Sequence, residues 1–315
     1  MTIAWVLGSS GLLGTALCRA LRSNGTELFF PINRFNWANT PELEAQIEAA
    51  VKDFSSHIMA GDRWEIYWAA GVGTMGSSEE ALAPETYVLS LILQLVKADQ
   101  RLMLTSGAIA FASSAGALYA GAPDEIITEN TILAPTTAYA REKLKQENLV
   151  TSFALANNHK IALIARISTI YGPGQAAGKK QGLLTHIARS ILRNQPIQIF
   201  VPYDTIRDYI SADDAAATIL TALNTTVKSS PVLVKIIASE HPVTIAEIIS
   251  IFKRIARRTP RVVTSANKLS GLYSRRVLFR SIALPECKIT SIKQLPLGIA
   301  QLMTAERAAF IRSRE

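Results

Sequence analysis

Between Ser113 and Lys143, the residues SSAGALYAG are followed eighteen positions later by YAREK. Tyr139 and Lys143 are four residues apart, so on a helix they share one face. A phenol titrates at about 10 and is a poor base at neutral pH, but an ammonium one helical turn away stabilises the phenolate and lowers that value. Lys143 supplies the charge. A hydroxyl on a separate element, Ser114 first and Ser113 in reserve, can share a hydrogen bond with the substrate oxygen that Tyr139 protonates or deprotonates. The serine orients and the tyrosine moves the proton. These residue types predict an enzyme, with Ser114, Tyr139 and Lys143 as its catalytic set.

The segments that must position this set are legible from the N-terminus onward. TIAWVLG is apolar and rich in strand formers, and SSGLLG opens the helix-like run TALCRALRSNG, ended by Gly25. Gly8, Gly11 and Gly14 form GxxGxxG at this first strand-to-helix junction. In a dinucleotide fold the first glycine permits a tight turn, the second lets the backbone approach a pyrophosphate, and the third lets helix pack on strand. The helix N-terminus, with Ser10, Leu12 and Leu13 beside the glycines, faces the phosphates with free N–H groups and the positive end of its dipole.

Strands are expected at Ile3–Leu7, Glu27–Ile32, Trp64–Ala69, Ala108–Ser113, Ile161–Ile167 and Val232–Ile237, with helices between them, notably Pro41–Phe54 and Glu85–Leu104. This alternation predicts an α/β fold, a Rossmann-like doubly wound parallel sheet with ligands past the strands' C-terminal ends. Ala69, Ala70 and Gly71 then lie beside the cofactor, together with Ser113, Ile167, Tyr139 and Lys143. The second strand runs into Asn33 and Arg34 with no acid nearby. An acid there would hold the ribose hydroxyl of NAD and an arginine the 2′-phosphate of NADP, so NADP is the first expectation and NAD the second.

Together these pieces resemble the extended short-chain dehydrogenase/reductase superfamily, specifically its NAD-dependent epimerase/dehydratase family, which acts mostly on nucleotide sugars. ARISTIYGPGQ, from Ala165 to Gln175, resembles the family's strand and loop after the catalytic helix. GLLTHIARSILRNQPIQIF, from Gly182 to Phe200, is similar to its substrate-side helix and short strand, and RDYISADDAA, from Arg207 to Ala216, to its RDxxxxxDxA signature. The resemblance runs from Thr2 to about Leu223. It implies a dinucleotide domain over 1–172 with 205–240 returning to it, and a smaller C-terminal substrate-binding lobe from 173–204 and 241–315. It also implies Arg207 as a contact to the substrate's diphosphate, Arg276 or Arg280 as a phosphate candidate, Ser114 on the substrate side, and a homodimer.

The reaction class follows from what is missing. Relatives that dehydrate or decarboxylate carry an acid just after the catalytic hydroxyl, where this chain has Ala115, Gly116, Ala117 and Leu118. The four histidines, His57, His159, His186 and His241, match no motif. Hydride transfer with a single acid/base remains: nucleotide-sugar epimerisation first, NADPH-dependent reduction of a keto-sugar or other carbonyl as the alternative. A non-catalytic NADP-binding sensor is the reading of another class, and the retained Tyr139 and Lys143 speak against it.

Bulk properties agree. A chain of 315 residues, 49% hydrophobic, suffices for one large core and a small lobe. Cys18 and Cys287 lack metal or redox spacing, which suits structural thiols in a reducing compartment, so a cytoplasmic location is expected. YVLSLILQLV, from Tyr87 to Val96, is half the length of a membrane span and reads as a buried helix. Residues 251–315 hold 14 Lys and Arg against three acids, but without aromatic interleaving they do not form a nucleic-acid motif. A diphosphate-bearing small molecule is the partner such a field would favour, with neither nucleic acid nor membrane expected.

Overall fold

The computed structural model describes residues 1–175, 182–226, 230–264, 276–285 and 292–312. Cys287 and the expected substrate-contact segments 176–181 and 265–275 lie outside the described residues. In chain order the first half runs β1 (Thr2–Leu7), α1 (Leu12–Ser23), β2 (Glu27–Phe29), α2 (Thr40–Ser56), β3 (Arg63–Trp68), α3 (Glu79–Ala98), α4 (Gln100–Leu104), β4 (Ser106–Ser114), α5 (Ala115–Leu118), α6 (Ala138–Ala156) and β5 (Lys160–Ile167). The second half comprises β6 (Thr169–Tyr171), α7 (Leu183–Leu192), β7 (Ile197–Ile199), β8 (Ile206–Ser211), α8 (Ala212–Thr226), β9 (Val232–Ile237), β10 (Pro242–Thr244), α9 (Ile245–Ala256), β11 (Val262–Thr264) and α10 (Leu295–Arg312).

Six strands form one parallel sheet in the order β2-β1-β3-β4-β5-β9. Its strands are buried on both faces, and the period-two alternation sorts their side chains. On β1 Ile3, Trp5 and Leu7 face α2, α3 and α6, while Ala4 and Val6 face α1 and α8. On β4 the second face is almost all alanine, Ala108, Ala110 and Ala112, so α1 and α8 can pack close to the strand. The strand order reverses between β1 and β3, which places the crevice for a ligand at the carboxyl ends of those two strands. A separate core around Leu184, Ile187, Tyr209, Ile248, Phe252 and Leu302 unites α7, α9 and α10.

Three expected boundaries shift by three residues or more. The second strand ends at Phe29 rather than Ile32, because Pro31 has no N–H to give a ladder. The long helix expected from Glu85 starts at Glu79, where the Ser78 side chain accepts from Ala81 N and two acids occupy the first turn. It breaks at Asp99, whose carboxylate caps a new helix by accepting from Leu102 N at 2.9 Å. α3 is by length and composition apolar enough to cross a membrane. Its Val88, Leu89, Ile92 and Val96 instead join the sheet's main core.

Gly107 of β4 meets the Trp64 indole so closely that a Cβ would overlap it, whereas Gly116 of α5 has nothing within 4 Å. Gly107→Ala should therefore lower the unfolding free energy by about 1–3 kcal/mol. Gly116→Ala should leave it unchanged or raise it by up to about 1 kcal/mol. Denaturant titration of the two variants checks the contrast.

Candidate functional site

At the crevice, three backbones come together with no room for side chains. Gly8 has φ of 82°, and a Cβ on it would stand 2.7 Å from the Ala69 carbonyl and from Ala70 N. A Cβ on Gly14 would fall inside the Gly8 carbonyl, so helix α1 starts directly against the turn. Gly11 is its N-cap, offers no side-chain acceptor, and leaves no acid in the first turn. The N–H groups of Leu12, Leu13 and Gly14 are thus free for an anion. Ser113, near the end of β4, has a buried hydroxyl with no hydrogen-bond partner. An open helix N-terminus and an orphaned hydroxyl in one crevice fit a dinucleotide's pyrophosphate and a polar atom further along it. Ser10 is exposed at the turn, and Ile167 is buried opposite Ser114 and Ile237. Asn33 and Arg34 are exposed in the loop after β2.

Helix α6 begins at Ala138 with Thr137 as its cap, accepting from Ala140 N at 3.1 Å. This sets Tyr139 in the first turn and Lys143 one turn on. The Ser114 hydroxyl lies close enough to the Tyr139 phenol to act on its titration, so the expected serine meets the tyrosine. The phenol's titration departs from the sequence-based expectation. Burial first, then the Glu85 carboxylate, push Tyr139 up to about 12, and the Ser114 hydroxyl offsets them only in part. Lys143 does not direct its charge at the phenol. Its Nζ donates to Gln146 Oε1 at 3.0 Å and stands 5.0 Å over the Phe111 ring. Burial lowers the Lys143 pKa, while Glu85 and Glu147 act to raise it.

On the expected substrate side, β8 points its residues alternately. Asp208 is buried and accepts from Ser168 Oγ at 2.6 Å, Ser239 N at 2.9 Å and Ser239 Oγ at 2.8 Å, tying β8 to the ends of β5 and β9. Arg207 faces the other way, with one guanidinium N–H donating to the Ile206 carbonyl at 2.8 Å. Arg276 is exposed at the start of a segment that returns to the sheet rather than staying in the lobe. Ile127 N donates to Leu278 O at 2.7 Å, and Arg280 N donates to Ile127 O at 2.9 Å.

The family model for the NAD dependent epimerase/dehydratase family matches residues 4–234. The chain belongs to this family. It is accordingly an enzyme with the Rossmann-like fold described above. A dTDP-4-dehydro-6-deoxyglucose reductase from Escherichia coli is 33% identical over 115 residues, 36% of each chain. A putative UDP-glucose 4-epimerase from Methanocaldococcus jannaschii is 31% identical over 117 residues, 37% of this chain and 38% of the relative. These matches thus span little more than a third of the relatives' length. Among solved structures, the UDP-glucose 4-epimerase of Thermotoga maritima with UDP-glucose superposes with a TM-score of 0.80 at 18% identity, covering 98% of this chain and 100% of the other. RMD from Pseudomonas aeruginosa, complexed with NADPH, gives 0.79 at 19% identity over the same shares.

Within this family framework, two side chains escaped the sequence analysis. Glu85 is buried, and its Oε1 accepts from Val72 N at 2.6 Å and Gly73 N at 3.0 Å. Gln146 is buried and joins Lys143 to Thr86, donating to Thr86 Oγ1 at 2.8 Å. For Glu85 the available signal is an acid beside the apolar run of α3, whereas Gln146 sits in the polar run KLKQEN and offers none. Ser113 and Ser114 can now be separated by experiment. Ser113→Ala should leave the ligand-free unfolding free energy unchanged or up to about 1 kcal/mol higher, and weaken dinucleotide binding about fivefold. Ser114→Ala should leave dinucleotide affinity within about twofold and cut turnover roughly 100-fold. Calorimetric binding and steady-state rates read the two apart.

Proposed function

We propose that this enzyme transfers hydride between a nicotinamide dinucleotide and a carbonyl carbon of a nucleoside-diphosphate sugar, working in the reductive direction with Tyr139 as proton donor. The observation that carries this reading is the buried Tyr139 phenol beside Ser114, pushed up to about 12 by burial and the Glu85 carboxylate. A phenol held protonated at neutral pH is an acid in waiting, and a reduction needs one proton delivered to the carbonyl oxygen. Bound at the Gly8–Gly14 turn, the dinucleotide supplies the hydride.

The chain's own residues do the rest. Ser114 donates a hydrogen bond to the carbonyl oxygen and holds it beside the Tyr139 hydroxyl, which gives up its proton as negative charge develops there. Lys143, whose ammonium is bound to Gln146, helps hold the inner face of the helix that presents Tyr139. Arg207 and the exposed Arg276 are the cations assigned to the substrate's diphosphate. The exposed Arg34, with no acid beside it at the end of β2, is assigned to the 2′-phosphate of NADP, and this supports NADPH as the reductant.

Nucleotide-sugar 4-epimerisation is the second reading, favoured by the likeness of SSAGALYAG and RDYISADDAA to epimerase motifs. The two differ in how the cofactor is used. A reductase consumes one NADPH per sugar, whereas an epimerase returns the hydride and shows no net change in cofactor absorbance. Screening UDP-, dTDP- and GDP-linked keto-sugars and sugars for NADPH oxidation and for product stereochemistry decides between them. Tyr139→Phe should cut turnover about 100-fold or more while leaving NADP affinity within about twofold. Full activity in that variant would remove Tyr139 from the chemistry. Arg34→Ala should erase a preference for NADP over NAD, and a wild type that binds both equally would overturn the assignment of Arg34.

A further inference from the structure

The mechanism above leaves one buried ionisable group at the site unused. Glu85 lies on α3, which packs against α6, and is 6% exposed. Its carboxylate accepts from the backbone of Val72 and Gly73, in the loop that follows β3. That loop is wedged against the tyrosine. A Cβ on Gly73 would stand 3.1 Å from the Tyr139 ring, and one on Gly71 would stand 3.2 Å from Glu85 Oε2. A buried carboxylate is costly unless it gains N–H donors and a nearby cation. Glu85 has two backbone donors, and the cation within electrostatic reach is Lys143.

We propose that Glu85 is a positioning residue of the reaction, whose carboxylate fixes the Val72–Gly73 backbone against the Tyr139 ring and places one negative charge beside both Tyr139 and Lys143. Resting on the reading of Tyr139 as proton donor, this assigns two separable jobs to one side chain. The hydrogen bonds shape the floor over which the cofactor and sugar meet. The charge disfavours a second anion on Tyr139 and favours the cation on Lys143, so the pair is held as phenol and ammonium. The other groups facing the pair are the Ser114 hydroxyl from the end of β4, Gln146 one turn along α6, and Glu147. Glu147 is committed to Arg166, which donates to it at 2.7 Å, so Glu85 is the carboxylate whose charge can be removed without opening a buried ion pair.

Glu85→Gln separates the jobs, because both backbone N–H groups bond to a single oxygen that an amide carbonyl can replace. The direct readout needs neither substrate nor turnover. Tyrosinate absorbance is followed by stopped-flow pH jump in the wild type and in Glu85→Gln, with the same traces from Tyr139→Phe and Tyr139→Phe/Glu85→Gln subtracted. Loss of the like charge should make Tyr139 ionise at least about tenfold more readily, equivalent to about 1.4 kcal/mol. Dinucleotide affinity should stay within about twofold. Glu85→Ala, which loses the hydrogen bonds as well, should weaken dinucleotide binding about tenfold or more. In turnover, the high-pH limb of the rate profile should move to lower pH in Glu85→Gln.

An unchanged Tyr139 titration in Glu85→Gln overturns the proposal. If that variant does not fold, Glu85→Ala is titrated in its place: an unchanged Tyr139 midpoint overturns the proposal, and ionisation at least about tenfold easier supports it. Full turnover in Tyr139→Phe would instead sink the proton-donor reading and leave the charge effect of Glu85 standing, so the two failures are distinguishable.

Discussion

Everything at the crevice depends on a steric constraint: the turn after β1, the start of α1 and the end of β3 occupy nearly the same space. Backbone meets backbone at Gly8, Ala69 and Ala70, and α1 begins with its first turn pressed on the Gly8 carbonyl. Close packing of this kind is possible only where side chains are absent. It leaves the uncapped N–H groups of α1 directed outward instead of into protein. The parallel sheet then brings the ends of β4 and β5 alongside, since Trp68 pairs with Phe111 while β4 runs on through Ser113 and Ser114. The overhang of β4 past β3 is what carries the two serines out over the crevice.

Against that rigid floor, α6 presents an unusually polar buried face. Glu142, Lys143, Gln146 and Glu147 are all buried where an ordinary helix would carry leucines. Each is paired: Lys143 with Gln146, Gln146 with Thr86, Glu142 with Lys145, and Glu147 with Arg166, which also donates to the Tyr119 hydroxyl at 2.7 Å. Buried networks add little to stability compared with apolar packing, but they allow few alternative arrangements. The helix that bears Tyr139 is therefore held in rotation and register by directional bonds on its inner side.

Much of this was legible beforehand, for identifiable reasons. The glycine turn and the Tyr139–Lys143 pair are local patterns whose geometry is set by the chain within a few residues, and the family match over residues 4–234 agrees with them. The strand pattern of β1, β3, β4 and β5 was readable because each is an apolar run long enough to be buried on both faces. The start of α3 lies six residues before Glu85 because the Ser78 cap and two acids open the helix there, with Pro84 inside it. The electrostatics of Tyr139 depart from the sequence-based expectation for a different reason. The neighbour legible in the sequence is a lysine one turn away, but that ammonium is bound to Gln146, and the charge that acts on the phenol comes from Glu85 on another helix. Such a pairing depends on how α3 and α6 cross, and neither segment encodes the crossing alone.

The network around Glu129 ties distant parts of the chain into one corner of the structure. Its carboxylate accepts from Ile236 N and Ile282 N at 2.8 Å and from Ser281 Oγ at 2.6 Å, and Lys235 donates to the same serine at 2.9 Å. Glu129 and Ser281 are 152 residues apart, so this corner closes a very long loop. Loop closure of that span is slow and comes after local structure has formed. During synthesis the glycine turn and the Tyr139 helix can be in place while Glu129 still waits for its partners. The stretch that carries Arg276 is accordingly the last part of this corner to be built, and until it docks Lys235, buried in the finished fold, stands exposed at the edge strand of the sheet.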